Sequence, residues 1–204
     1  MNESIGHLLF SLHHYFQNFS ASFKLALGLW PVIAAVVTIP IIVFEHVKFH
    51  QVRFWRVAMW YGFVLYLLGL LALTLYPLPD NPAQFCAEFN ASTVTQKIPL
   101  ENIAGALESK SNFVQVAMNV AFFIPLGVFL RYIFGFRWYS ALLLAFGASL
   151  LLETAQLTGA FGYYPCRYRM FDVDDLISNT FGGMVGFAGA WLLTIGDRAQ
   201  KSTS

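Results

Sequence analysis

Charge is what this sequence has least of. Only 11% of its 204 residues are charged, 12 Lys+Arg against 11 Asp+Glu, for a net charge of +1. Soluble domains carry about a quarter charged residues, so an ordinary water-facing surface is excluded. The near-neutral balance also excludes an electrostatic footprint for nucleic acid. Cysteine is scarce as well. Cys86 and Cys166 are the two present, too few for a disulfide-dense scaffold, leaving one bridge or two thiols. No base precedes Lys24, so the opening residues do not read as a cleavable signal, which starts with a positive segment. Internal repeats and low-complexity linkers are absent too.

What fills the chain is apolar: 57% hydrophobic and 17% aromatic residues, with a mean hydropathy of +0.59. These residues come in blocks rather than in an amphipathic rhythm, and about 20 apolar residues cross the hydrocarbon core as a helix. Five spans are expected, at 25–44, 57–78, 113–134, 138–158 and 174–195. The fold class is therefore all-α: a polytopic membrane helix bundle over residues 25–204. An odd number of spans puts the termini on opposite sides. Lys48, Arg53, Arg56, Arg131, Arg137, Arg198 and Lys201 fall in short stretches on one side. Lys24, Lys97, Lys110, Arg167 and Arg169 are spread over longer ones on the other. The positive-inside rule then places the N-terminus outside and the C-terminus in the cytoplasm.

Residues 1–24 read differently. Ile5, Leu8, Leu9, Leu12, Phe16, Phe19 and Phe23 recur at helical spacing, with His7, His14, Gln17 and Asn18 elsewhere on the wheel. That pattern suits an interfacial amphipathic helix, and equally a packed leader to the first span. Cys86 and Cys166 both fall in loops expected outside, where an oxidising compartment permits them to pair; two free thiols is the alternative. A catalytic cysteine needs a base, and neither outer loop contains a histidine.

Depth singles out the polar residues. At 1.5 Å per residue, Asn119, Glu153 and Asn179 each lie roughly 8–9 Å below the outer ends of their spans. Gln156 stands one turn above Glu153, and Asp175 one turn above Asn179. Some of this has a structural explanation. Asp172 is a good N-cap, Asp174 and Asp175 suit the positive end of a helix, and the asparagines serve as interhelical glue. Capping suffices for Asp174. Glu153 is harder to explain, because a carboxylate within a span costs about 2.5–3.5 kcal/mol even on lenient scales. It marks a site by default, with Arg169 as the expected counter-ion. Gly182, Gly186 and Ala190, four apart, read as a close-packing face, and Pro125 is expected to kink the third span.

Four stretches in order, "YLLGLLALTLYPLP", "NVAFFIPLGVFL", "ETAQL" and "RMFDVDDLISNTFGG", resemble the VanZ-like family of bacterial membrane proteins over a core of about residues 61–195. Arg169, Phe171, Asp172, Asp174, Asp175 and Asn179 fit its arginine, aromatic and D-x-D-D pattern, as do Asn119, Glu153 and Gln156. The family's asparagine-containing motif before the third span is blurred here to "KIPLENI". The resemblance implies the bacterial plasma (inner) membrane and a link to the cell envelope and to teicoplanin-type glycopeptide susceptibility, without naming a reaction.

Three functions follow as expectations. The first is binding of a membrane lipid or lipid-linked cell-wall precursor at an outer polar pocket, with Asn119, Gln156, Arg169 and Asn179 as ligand contacts. The second is an embedded enzyme in which Glu153, Asp172 and Asp175 supply acid/base chemistry on head groups. A divalent cation is compatible with those oxygens, although the sequence requires no metal or other cofactor. The third is a small transporter, which the apolar inner halves of the spans oppose unless the chain forms a homo-oligomer.

Overall fold

The computed structural model describes residues 2–75, 81–92, 98–106, 108–167 and 169–202, with side chains for 20–75, 81–87, 98–106, 108–167 and 169–194. Eight elements follow one another: α1 (Asn2–Phe49), α2 (Phe54–Leu75), α3 (Pro82–Ser92), α4 (Glu101–Gly105), α5 (Lys110–Tyr132), α6 (Trp138–Leu157), the short turn α7 (Gly159–Gly162) and α8 (Val173–Ser202). The described residues hold no strand. Five helical stretches are long and apolar enough to cross a membrane: Ser20–Phe49, Phe54–Leu75, Lys110–Tyr132, Trp138–Leu157 and Val173–Thr194. Each overlaps one expected span. Residues 2–24 continue into the first span as one helix, and the side chains of the expected amphipathic face up to Phe19 lie outside the described residues.

The chain forms two compact units, residues 9–77 and residues 1–8 with 78–204. In the first, α1 and α2 meet through side chains. The Thr38 and Tyr61 hydroxyls lie 2.6 Å apart, Trp30 stands edge-on to Tyr61, and Phe44 stands edge-on to Trp60. At the connecting end Glu45 is fully buried. It accepts from Arg56 Nε at 2.7 Å, Arg56 Nη2 at 3.2 Å and Trp60 Nε1 at 2.9 Å, while the guanidinium lies 3.3 Å over the Phe49 ring. A buried charge that loses its partner keeps its desolvation penalty. Arg56→Ala is therefore expected to cost about 2–3 kcal/mol, less than for a wholly buried pair because Arg56 is partly exposed. Denaturant unfolding in detergent measures it. Glu45→Gln in the same background should recover part of the loss, since the orphaned charge is then gone.

In the second unit α5 and α8 pair along their length, α6 packs on α8, and α4 sits against both α5 and α8. Glycine sets this geometry. A Cβ on Gly182 would lie 2.1 Å from the Val120 carbonyl oxygen, and one on Gly186 would lie 1.9 Å from that of Ile124. From the other side, a Cβ on Gly127 would lie 1.8 Å from the Gly183 oxygen. Backbone meets backbone here, the small-residue packing that membrane helices use in place of hydrophobic driving force. The spacing of Gly182, Gly186 and the buried Ala190 pointed to this face. Gly127 and Gly183 complete it from positions the spacing did not mark. Helix α5 runs through Pro125 without interruption.

Beyond α6 the chain turns back through left-handed residues, Gly159 at φ 63°, Ala160 at 54° and Phe161 at 59°. The Thr158 hydroxyl accepts from the Phe161 amide. Gly159 is required, because a Cβ there would lie 2.5 Å from the carbonyl oxygens of both Tyr164 and Cys166. Cys166, so placed, forms a disulfide with Cys86 of α3, Cα–Cα 5.8 Å. Bridging the two segments fixes the chain that enters α8.

Candidate functional site: the acid layer at the head of α8

Each aspartate entering α8 has a different job. Asp172 caps the helix: its Oδ1 accepts from the Asp174 amide at 2.8 Å, the usual N-cap bond. Its Oδ2 accepts from Asn102 Nδ2 at 2.7 Å. Its own amide donates to Glu153 Oε2 at 3.1 Å, so one residue links α4, α6 and α8. Asp174, 1% exposed, turns away from its own helix. Its Oδ1 accepts from the Leu100 amide at 2.5 Å, and its Oδ2 from the amides of Asn102 at 2.7 Å and Ile103 at 3.1 Å. A carboxylate thus occupies the amide-rich start of α4, where donors have no partner within their helix. Asp175 faces α5, its Oδ1 taking Asn119 Nδ2 at 2.5 Å and Gln115 Nε2 at 3.3 Å. One turn deeper, Asn179 Nδ2 donates to Ser149 Oγ at 2.9 Å.

Two oxygens are left over. Among the described residues Glu153 Oε1 and Asp175 Oδ2 accept no hydrogen bond, and neither is a sealed, unsatisfied atom. Glu153 is 3% exposed, while Asp175, Asn119 and Gln115 are only half-buried. The opening onto the layer therefore lies on the Asp175 side. Arg169 is exposed and makes no ion pair among the described residues, yet lies near enough for its charge to act on Glu153 and Asp175.

A family model, VanZ/LLP1, matches residues 63–194. The chain belongs to the VanZ/LLP1 family. No curated protein and no solved structure matches it. The VanZ/LLP1 match takes in the whole acid layer, three of the five apolar helices and most of a fourth. With those helices, the chain is a multi-pass membrane protein.

At two residues this VanZ/LLP1 core departs from what its sequence suggests. Among the described residues Arg169 makes no ion pair with Glu153, although its charge acts on that carboxyl; the hydrogen bond Glu153 accepts comes from the backbone amide of Asp172, because the bend into α8 aims that N–H at α6. Asp174 is not a mere helix initiator, since its carboxylate serves α4 rather than α8. Asp172 caps α8 as expected, while Asp175 bonds across to α5. Of the other expected contacts, Asn119 meets Asp175 directly, whereas Asn179 meets Ser149 instead of the acids. Gln156 is buried one turn from Glu153.

Three participants were missed: Asn102, Gln115 and Ser149. Gln115 precedes Asn119 by four residues and Ser149 precedes Glu153 by four, the spacing that puts side chains on one helix face, so both had a readable signal. Asn102 lies in the "KIPLENI" stretch, whose blurred pattern concealed its role. Among the described residues no group of three His, Cys, Asp or Glu side chains is arranged to hold a metal ion. N–H donors engage all four carboxylate oxygens of Asp172 and Asp174, so in this layer the carboxylate oxygens without a donor among the described residues are Glu153 Oε1 and Asp175 Oδ2.

Burial, the dominant influence, raises the Asp172 carboxyl above its ordinary value, with its donors opposing the shift. An acid whose folded pKa is raised contributes stability below its unfolded pKa, about 4, and loses it as pH rises through the folded value. Asp172→Asn should therefore flatten the decline in unfolding free energy between pH 4 and pH 7 relative to the unaltered protein. Denaturant titrations at the two pH values read this out, and an unchanged slope would remove Asp172 as its source.

Proposed function

We propose that the acid layer binds the head group of a membrane lipid or lipid-linked cell-wall precursor at the outer face of the bacterial plasma membrane. Through that binding the protein modulates susceptibility to teicoplanin-type glycopeptides. The observation that carries this reading is the pair of carboxylate oxygens, on Glu153 and Asp175, that accept no hydrogen bond among the described residues, beside a cation that makes no ion pair among them. Such a set suits a head group with both characters: hydroxyl or ammonium donors for the carboxylates and a phosphate for Arg169. Burial of the acids and half-exposure of their rim suit entry of a head group rather than of a whole molecule.

Two independent lines support the outward orientation. Lysine and arginine crowd into the connections assigned to the cytoplasm. The Cys86–Cys166 bridge joins two segments assigned to the opposite face, and disulfides persist in oxidising compartments. Both lines support an N-terminus outside and a C-terminus inside.

The test compares Arg169→Ala and Glu153→Gln with the unaltered protein for co-purifying lipid by native mass spectrometry, and for glycopeptide susceptibility in cells. Arg169→Ala removes a charge-assisted contact and should lower lipid retention by about tenfold or more. It should leave thermal unfolding nearly unchanged, because the side chain is exposed. Full retention in both variants would refute the binding role.

The same free oxygens favour a second reading, an embedded enzyme in which Glu153 works as general acid or base. Here Glu153→Gln separates the two. A binder keeps partial function, because the amide still offers hydrogen bonds, whereas an acid/base catalyst loses function while lipid retention and folding survive.

A further inference from the structure

The other end of the same bundle carries a second site, unrelated to the acid layer. Where α5 ends and α6 begins, a cleft of about 600 Å³ opens between α5, α6 and α8. From Glu153 back to Trp138 at the start of α6 is 15 residues, roughly 23 Å along the helix, so the cleft faces the opposite membrane boundary. Its walls are apolar and aromatic, including Trp138, Met184, Phe187 and Trp191, and two arginines, Arg131 and Arg137, stand among them.

Those arginines lack acidic partners among the described residues. Among the described residues Arg131 makes one long contact, Nη2 to the Thr194 hydroxyl at 3.4 Å, and its buried Nε has no acceptor among them. Among the described residues Arg137 donates to the Tyr139 hydroxyl, at 3.3 Å. A buried guanidinium N–H without an acceptor costs free energy, and two like charges in one cleft repel. The connecting turn is nonetheless well built. Gly135 takes φ 69°, the Phe136 amide donates to the Leu130 carbonyl at 3.2 Å, and Phe134 stacks on Phe136. The turn therefore brings the two cations to one place.

We infer that this cleft holds the phosphate of an anionic phospholipid from the leaflet opposite the acid layer, with its acyl chain along the α6–α8 wall. A phosphate between the two guanidiniums supplies acceptors for the N–H groups that reach the cleft and neutralises the repulsion. Tryptophans and an apolar wall suit the boundary where head group gives way to chain. Basic pockets between membrane helices on the anionic face are where such head groups bind. A soluble phosphate would satisfy the arginines but leave the apolar wall uncovered.

The experiment uses the full chain in mild detergent, titrated in native mass spectrometry with phosphatidylglycerol, phosphatidylcholine or inorganic phosphate. Phosphatidylglycerol should bind in preference to phosphatidylcholine. Its affinity should fall about fivefold with Arg137→Gln, and about 25-fold when Arg131→Gln is added. Arg53→Gln removes an exposed charge elsewhere and should leave the affinity as it was. If Arg131→Gln impairs folding, Arg137→Gln alone carries the test, since that side chain is exposed. Equal binding of the two lipids overturns the inference, as does a double variant indistinguishable from Arg53→Gln. Displacement of phosphatidylglycerol by equimolar inorganic phosphate would assign the arginines to a soluble anion and overturn the lipid.

Discussion

Gly186→Leu is expected to separate α5 from α8 and to leave little folded protein. The first carbon of any side chain at 186 would fall 1.9 Å from the Ile124 carbonyl oxygen. That atom is backbone in the middle of a helix and cannot step aside as a flexible side chain would. The helices must part by more than an ångström, and the backbone contact at Gly182 and Gly127 is lost with it, because rigid helices separate along their length. Overpacking of well-packed sites costs about 1–3 kcal/mol, and more when backbones must move. We therefore expect at least about 3 kcal/mol for Gly186→Leu and a smaller loss for Gly186→Ala. The functional consequence follows from the same interface. Asn119 and Gln115 on α5 reach Asp175 on α8 across it, so parting the helices breaks the acid layer as well. Gly189→Ala is the control. Nothing lies within 4 Å of a Cβ there, and alanine is the better helix former by about 1 kcal/mol, so that variant should be as stable as the original or more so. Thermal unfolding of the three variants in detergent decides the order, and equal stability of Gly186→Leu and Gly189→Ala would disprove the interface.

This contrast also marks how far the sequence could be read. The five spans were legible because hydrophobic blocks of sufficient length have few other uses. Glu153 stood out because a carboxylate in a span is costly. The pairing of α5 with α8 was half legible: Gly182 and Gly186 at four-residue spacing identify a face, but not which helix comes to meet it. Gly127 has no such neighbour in its own helix, and its role appears only once α8 is against it. Arg169 shows the opposite failure. The sequence puts a cation near a costly acid and invites a pair, yet the hydrogen bond that acid accepts comes from an amide. Backbone N–H groups are present at every non-proline residue, so no residue letter announces which carboxylate they will serve.

That limit is sharpest at Asp174, where the second large effect is expected. Asp174→Ala should release α4 and cost about 4 kcal/mol, more than any other single change in the acid layer. Three backbone donors, at Leu100, Asn102 and Ile103, end on its two oxygens, and hydrogen bonds to charged groups contribute about 1.5–3 kcal/mol each. They share one acceptor group and do not add fully, hence a figure below their sum. Alanine leaves all three donors orphaned in a place where Asp174 is 1% exposed, so water cannot replace the carboxylate without opening the packing. Asparagine keeps one acceptor oxygen and should lose less than alanine. The damage should also spread. Once α4 is loose, Asn102 no longer holds Asp172 Oδ2, and Asp172 is the residue whose amide holds Glu153. Hydrogen exchange separates this from general unfolding: the amides of Leu100, Asn102 and Ile103 should exchange much faster in Asp174→Ala while those in the middle of α5 and α8 stay protected. Unchanged exchange at those three amides would show that α4 is held by something else, and Asp174 would then return to being only the acid that starts a helix.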